Sequence, residues 1–275
     1  MQSLTFEADL QESPIDLSRA ALHLAREIGY PQLDVEAYLL RLEHLAELAG
    51  EAIPEDGPNQ QRALALSDFL FNQLRFAGNA ADYEDPRNSY LNQVLDRRLG
   101  IPISLAAVYL DTARRLQIEA EGVGMPGHFI VGVPLPQLKG YLYLDPYHGG
   151  KVITQADCLR LVEERTGYQG EFRPEWLTPA PTTRILARML FNLRNIYIQH
   201  NDWPLAQAVV EHMAQLEPDV AGHLRDLGVI HYQNGSLSNA VYYYEQYLLR
   251  APQAEDTRLV RTSLQTAAQR LAQLN

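Results

Sequence analysis

The chain of 275 residues holds a single cysteine, Cys158. No intrachain disulfide can therefore form, and a zinc site built on several thiolates is excluded. Long apolar runs are also missing: nothing approaches the roughly 18 consecutive apolar residues of a membrane-spanning helix. The N-terminus, MQSLTFEADLQESP, lacks the apolar segment of a secretory leader. These absences lead to the expectation of a cytoplasmic protein. Positive charge is scarce, with 23 Lys and Arg against 34 Asp and Glu, a net charge of −11. A protein held to nucleic acid by phosphate contacts needs a basic face, and so does one docked on an anionic bilayer. Neither partner is expected, which leaves open only a local basic patch. What is present is the make-up of a folded chain, 46% hydrophobic and 21% charged.

Residues 13–77 read as helices. Asp16 or Ser13 can cap a segment through Leu17, Leu24 and Ile28, stopped by Gly29. Asp34 caps the next, with Val35, Leu39, Leu42, Leu45 and Leu48 at helical spacing, and a third runs to about Ala77. A polar loop spans 78–87. A short helix then ends at Gly100, and Pro102 opens another that reaches about Leu116. Strand-like runs follow at 120–124, 128–133 and 141–145, separated by Pro126, Gly127, Pro134, Pro136 and Gly140, with a fourth at 151–153. This is the pattern of an antiparallel meander. Thr154 caps a helix through Cys158, Leu161 and Val162. Residues 169–183 are rich in proline and aromatic groups and read as a linker.

The last hundred residues repeat with a period of 34. Leu190 pairs with Leu224, Leu193 with Leu227, Ala206 with Ala240, Val210 with Tyr244 and Pro218 with Pro252. A large residue, an alanine that lets two antiparallel helices approach, and a closing proline resemble the tetratricopeptide repeat. Two repeats and a final helix from about 257 to 274 are expected. A repeat of this kind either forms a groove for a peptide or partner protein, or caps the preceding domain.

The runs DPRNSYLNQVLDRRLGIPISLAAVYLDTARRLQ, EGVGMPGHFIVGV and YLYLDPYHGG resemble the SirB1 family of bacterial proteins. That family belongs to the transglutaminase-like superfamily and carries C-terminal tetratricopeptide-type helices. The resemblance implies an α+β fold: N-terminal helices (1–84), a papain-like or transglutaminase-like core with a small antiparallel sheet (85–168), the linker (169–183), and an all-α repeat region with its capping helix (184–275). Catalytic members place a cysteine at the start of a helix, a histidine at the start of a strand and an aspartate at the end of the next. The helix N-terminus and an imidazolium lower the thiol pKa, and the carboxylate orients the imidazole.

On this resemblance His128 in GHF matches the histidine and Asp145 in LDP the aspartate. Laid without gaps on Gly100, Ile101 and Ala106, the cysteine position falls on Pro102, which has no nucleophilic atom and no N–H. Ser104 is the nearest hydroxyl, about 200° further round the helix, and could attack only if the helix began in another register. Cys158 reads as a small buried hydrophobe. His128 and Asp145 are either a buried hydrogen-bonded pair kept for structure, or part of a site with His148, Tyr147 and Tyr143 around it. His128, Asp145 and His148 match no compact metal motif, so neither metal nor cofactor is expected.

Three readings follow. The first is a non-catalytic interaction or regulatory protein that meets a protein or peptide through its repeats. The second is a hydrolase or acyl-transfer enzyme on a peptide or amide, using His128 and Asp145 with a nonstandard nucleophile. The third is a small-ligand pocket without turnover.

Overall fold

The computed structural model describes residues 5–274. The N-terminal helices are α1 (Phe6–Asp9), α2 (Leu17–Ile28), α3 (Val35–Ala52) and α4 (Asn59–Ser67). Asp34 caps α3 by accepting from the Ala37 N–H at 3.1 Å. The expected third helix is shorter than its apolar pattern suggests. After α4 the chain runs through one wider, π-type turn (Asp68–Gln73), and Arg75 then adopts a left-handed conformation with φ +65°. Ala77–Gly78 form strand β1.

Helix α5 (Leu91–Arg97) ends three residues before Gly100. Arg98 takes the left-handed closing position with φ +56°, so Leu99–Gly100 are freed to form β2, paired in parallel with β1. Gly78 permits this junction. A Cβ there would meet the Tyr147 ring at 2.5 Å. Helix α6 (Pro102–Arg115) follows with proline in its first turn. Its residues are buried around nearly the whole circumference, including Leu105, Ala106, Val108 and Tyr109. The Tyr109 hydroxyl donates to the Ala63 carbonyl at 2.8 Å, which satisfies the one polar atom on a fully buried ring.

Strands β3 (Glu121–Met125), β4 (His128–Leu135), β5 (Gly140–Asp145) and β6 (Lys151–Ile153) form an antiparallel sheet in chain order. Val123 pairs with Ile130, and Val131 with Leu144. Helix α6 packs against β4 and against the short turn Pro146–His148. Thr154 and Asp157 cap α7 (Gln155–Thr166) reciprocally. Its Cys158, Leu161 and Val162 join Val123, Met125 and Ile130 in one apolar cluster. Residues 169–183, expected to be a linker, are built onto the same cluster. Leu177 is buried in it, Phe172 and Trp176 pack against it, and Pro179 bridges to Val123. Composition suggested a tether because proline and glycine punctuate the segment. Its aromatic side chains instead have apolar surface to cover, and burial of that kind outweighs weak local preference.

The remaining helices are α8 (Thr182–Gln199), α9 (Trp203–Leu216), α10 (Gly222–Gln233), α11 (Leu237–Arg250) and α12 (Thr257–Ala272). The chain divides into two compact units, and the division falls inside α8, after Met189. In the second unit Ala240, Tyr244, Tyr247, Val260 and Ala267 make one apolar cluster. A Cβ on Gly228 would meet the Tyr244 ring at 2.5 Å, so the glycine allows α10 and α11 to touch. Among the described residues no helix is long and apolar enough to cross a membrane.

Candidate functional site

His128 opens β4 and Asp145 closes β5. Because the two strands are antiparallel neighbours, these positions fall at the same end of the sheet. The His128 Nε2 lies 3.0 Å from Asp145 Oδ2, with both side chains essentially inaccessible to water. Asp145 is held from three further directions. Its Oδ1 accepts from the backbone N–H of Tyr147 (3.1 Å) and His148 (3.3 Å), and its Oδ2 also receives His148 Nδ1 at 2.7 Å. Burial works against the charged carboxylate. The hydrogen bond and charge of His128, followed by those of His148, outweigh it and hold the Asp145 pKa below the usual carboxylate range.

The hydrogen-bond directions set the histidine tautomer. An ionised carboxylate can only accept, so His128 donates through Nε2. In the neutral ring Nδ1 then carries a lone pair. That nitrogen is buried and has no hydrogen-bond partner among the described residues. An imidazole oriented by a carboxylate on one side and idle on the other is arranged as the base of a nucleophile–base–orienter set.

The start of α6, where the resemblance expects a nucleophile, holds none. Pro102 stands in the first turn of α6 and is buried. Ser104 does not meet His128. Its Oγ accepts from the Ile101 N–H at 3.1 Å and lies 2.6 Å from the Asn88 carbonyl and 3.1 Å from that of Ile101. A hydroxyl has one hydrogen, so these contacts use up its donor capacity, and Ser104 ties the start of α6 to residue 88. Gly100 makes room for it, since a Cβ there would lie 2.7 Å from Ser104 Oγ. Cys158 is buried in the α7 cluster. Burial, with the charges of Asp157 and Asp145, pushes its thiol pKa up to about 11, the opposite of activation.

His128 Nε2, Asp145 Oδ2 and His148 Nδ1 all lie within 4.8 Å of one another, a donor set that zinc accepts. The separations of 3.0 and 2.7 Å are those of hydrogen-bond partners. Two ligands of one tetrahedral zinc stand about 3.3 Å apart, so an ion would have to spread the set. Of the residues expected near the pair, Tyr147 and His148 are present: the Tyr147 ring is edge-on to His128 with centroids 6.3 Å apart, and the His148 ring is 5.7 Å away. Tyr143 instead packs on the Cys158 cluster.

The sequence reading missed three neighbours. Tyr83 stands edge-on to Tyr147 at 5.9 Å, and the Arg165 guanidinium covers both rings at 5.1 and 5.7 Å. Arg188 lies at the tip of the β3–β4 hairpin, where Nη1 donates to the Met125 carbonyl at 2.6 Å. No spacing rule marks them, because they come from a loop, the end of α7 and the first half of α8. Two hollows lie elsewhere: one of about 770 Å³ is lined by Asp16, Asp111 and Glu121 among others, and one of about 460 Å³ by Asn59, Arg62 and Pro134 among others.

An imidazole and carboxylate on adjacent strands, with a helix packed against them, define a protein of the transglutaminase-like class joined to helical repeats. Comparison with known proteins agrees. Residues 36–191 match the model of the transglutaminase-like superfamily, and residues 193–265 that of the tetratricopeptide repeat. A UPF0162 protein from Xylella fastidiosa (strain Temecula1 / ATCC 700964) is 35% identical over 94% of this chain and 92% of its own length. Another from Vibrio cholerae is 24% identical over 91% of this chain and 92% of its own length. Human F-box only protein 21 is 39% identical over 43% of this chain, which is 20% of that protein. The chain belongs to the UPF0162 family, of which the SirB1 family is one, within the transglutaminase-like superfamily.

Proposed function

We propose that this is a non-catalytic transglutaminase-like protein that acts as an interaction or regulatory module through its cleft and its C-terminal repeats. The observation that carries this reading is the start of α6. A buried proline occupies the thiol position of the resemblance, and the nearest hydroxyl, Ser104, is committed to backbone groups. Tetratricopeptide repeats in general mediate contacts between proteins. Phe191 and Leu259, two periods apart in the 34-residue repeat, are 47% and 71% exposed and offer apolar contact area.

The test has two parts. Broad fluorophosphonate and iodoacetamide-type probes should leave the folded full-length protein unlabelled. A partner captured by the full chain should be lost from the Phe191→Asp, Leu259→Asp double variant, whose exposed substitutions leave the core intact. Labelling of the native protein, or capture that ignores both substitutions, counts against the proposal.

One observation favours a second reading, a hydrolase or acyl-transfer enzyme with a nonstandard nucleophile. The Asp145-oriented His128, whose Nδ1 is buried with no partner among the described residues, opens a strand where the resemblance expects a catalytic histidine. This reading expects probe labelling that His128→Ala abolishes.

A further inference from the structure

Several arginines of this acidic protein are paired with carboxylates. Arg19, Arg41, Arg87, Arg97, Arg114 and Arg115 each have a carboxylate oxygen within 3.6 Å. Arg165 and Arg188 have none among the described residues. Arg188 is half-buried and spends one N–H on the Met125 carbonyl; burial depresses its pKa. A guanidinium partly withdrawn from water with no counter-charge is costly. Arg165 is exposed, yet two tyrosine rings hold it in place. The two cations converge. Both act on the Tyr83 hydroxyl, whose pKa burial raises and their charges lower. Both also stand at the tip of one hairpin, Arg188 against Gly124 (3.6 Å to an added Cβ) and Arg165 against Gly127. Gly127 has φ +71°, and a Cβ there would lie 2.6 Å from that of Arg165, so only glycine lets the end of α7 close on the hairpin. The next residue is His128, and Tyr147 is the one ring that separates its imidazole from Tyr83.

We propose that Arg165, Arg188 and the Tyr83 hydroxyl form an oxyanion subsite that takes the carboxylate or phosphate of a small ligand and places the rest of it toward His128. A planar guanidinium presents parallel N–H groups that match an oxyanion, and charge-assisted bonds of this kind are the strong ones. Tyr83 adds a neutral donor, and the half-buried setting of Arg188 strengthens the attraction relative to a surface lysine patch. The ligand class is therefore a small anion. The subsite is independent of whether the repeats bind a partner, so the two proposals can fail separately.

The experiment titrates the full-length protein with inorganic phosphate and, separately, with N-acetylglycine and its uncharged amide. Thermal stability and calorimetry are read at constant ionic strength set by sodium chloride. A saturable response to phosphate assigns a phosphate ligand. A saturable response to N-acetylglycine but not to its amide assigns a carboxylate. Arg165→Ala should weaken either response by about tenfold, the size expected for one charge-assisted contact. Arg188→Met should abolish it, and if Arg188→Met fails to fold, Arg165→Ala and Tyr83→Phe still decide the matter. No saturable response to either anion overturns the proposal. A response that Arg165→Ala and Tyr83→Phe leave unchanged also overturns it, because the anion then binds elsewhere.

Discussion

Two buried histidine–aspartate pairs sit in the same compact unit, and they differ in what surrounds them. In the first, His23 Nδ1 lies 2.5 Å from Asp9 Oδ2, joining α2 to α1. In the second, His128 Nε2 lies 3.0 Å from Asp145 Oδ2 at one end of the sheet. All four side chains are buried, and each histidine has its second nitrogen buried without a partner. Among the described residues a sequestered imidazole–carboxylate pair with an idle nitrogen therefore occurs twice, and by itself it is not evidence of chemistry. The environments separate them. Asp9 is flanked by Arg19 at 3.6 Å, so its charge is met by a cation. Asp145 has no arginine beside it among the described residues. It is held by two backbone N–H groups and two imidazoles, and His148, with a side chain 43% exposed, connects that carboxylate to solvent. Two unpaired guanidiniums stand beside the second pair. What distinguishes the sheet-end pair is the partly exposed His148 on its carboxylate and not the hydrogen bond itself.

Truncating each carboxylate tests the comparison most severely. Asp145→Ala leaves the buried His128 imidazole and two backbone N–H groups without their acceptor, a loss of about 3–5 kcal/mol. Asp9→Ala should cost about 2 kcal/mol, because Arg19 already reaches Glu12 at 2.8 Å and is partly solvated. Urea denaturation of the two variants measures both, and equal losses would break the contrast. Asp145 also predicts an acid dependence. Its folded pKa lies below the unfolded value of about 3.9, so its stabilisation is complete above that value and disappears as pH falls through the lowered one. In Asp145→Asn this part of the acid sensitivity should vanish from the denaturation midpoint measured against pH.

Pro102→Cys sharpens the same contrast through reactivity. If the start of α6 retains the geometry of its catalytic relatives, the new thiol meets His128 Nδ1 and the helix N-terminus, and both favour thiolate. Alkylation by iodoacetamide at about pH 6.5 should then run some tenfold or more faster than for a free cysteine of pKa about 8.5. Adding His128→Gln should remove the gain, while adding His23→Gln should not. A gain indifferent to both would show that the resemblance places Pro102 in the wrong register.

The two pairs also show what the sequence carried. The GHF and LDP runs pointed to His128 and Asp145 through resemblance, and antiparallel neighbours place a strand start beside a strand end. The meander and the Thr154 cap were legible because proline and glycine breaks and a hydroxyl before an apolar stripe act locally. The His23–Asp9 pair was not legible, since neither residue lies in a pattern and only the packing of α1 on α2 brings them together. The β1–β2 pairing, two residues long on each side, has no periodicity to read. Arg188 was read as part of the repeat region, because a helical pattern in α8 does not say which half packs on which unit. Residues 169–183 looked like a tether for a similar reason: composition marks where regular structure stops, and burial is decided by partners far away in the chain.

The smallest effect belongs to Ser104, and it separates the two readings of the start of α6. Ser104→Ala removes the acceptor of the buried Ile101 N–H and the donor that meets the Asn88 carbonyl. The Ile101 N–H keeps a longer contact with the Asn88 carbonyl at 3.4 Å, so it is not wholly orphaned. The stability loss should therefore be about 1 kcal/mol, as for a helix cap. A capping serine predicts only that loss, with anion binding at Arg165 and Arg188 unchanged. A nucleophilic serine predicts that Ser104→Ala also erases any covalent labelling of the native chain, at an unchanged denaturation midpoint if its cap contacts are incidental. Measuring labelling and midpoint on the same variant distinguishes them, because a side chain whose one hydrogen is donated to a backbone carbonyl cannot at the same time donate it to an imidazole.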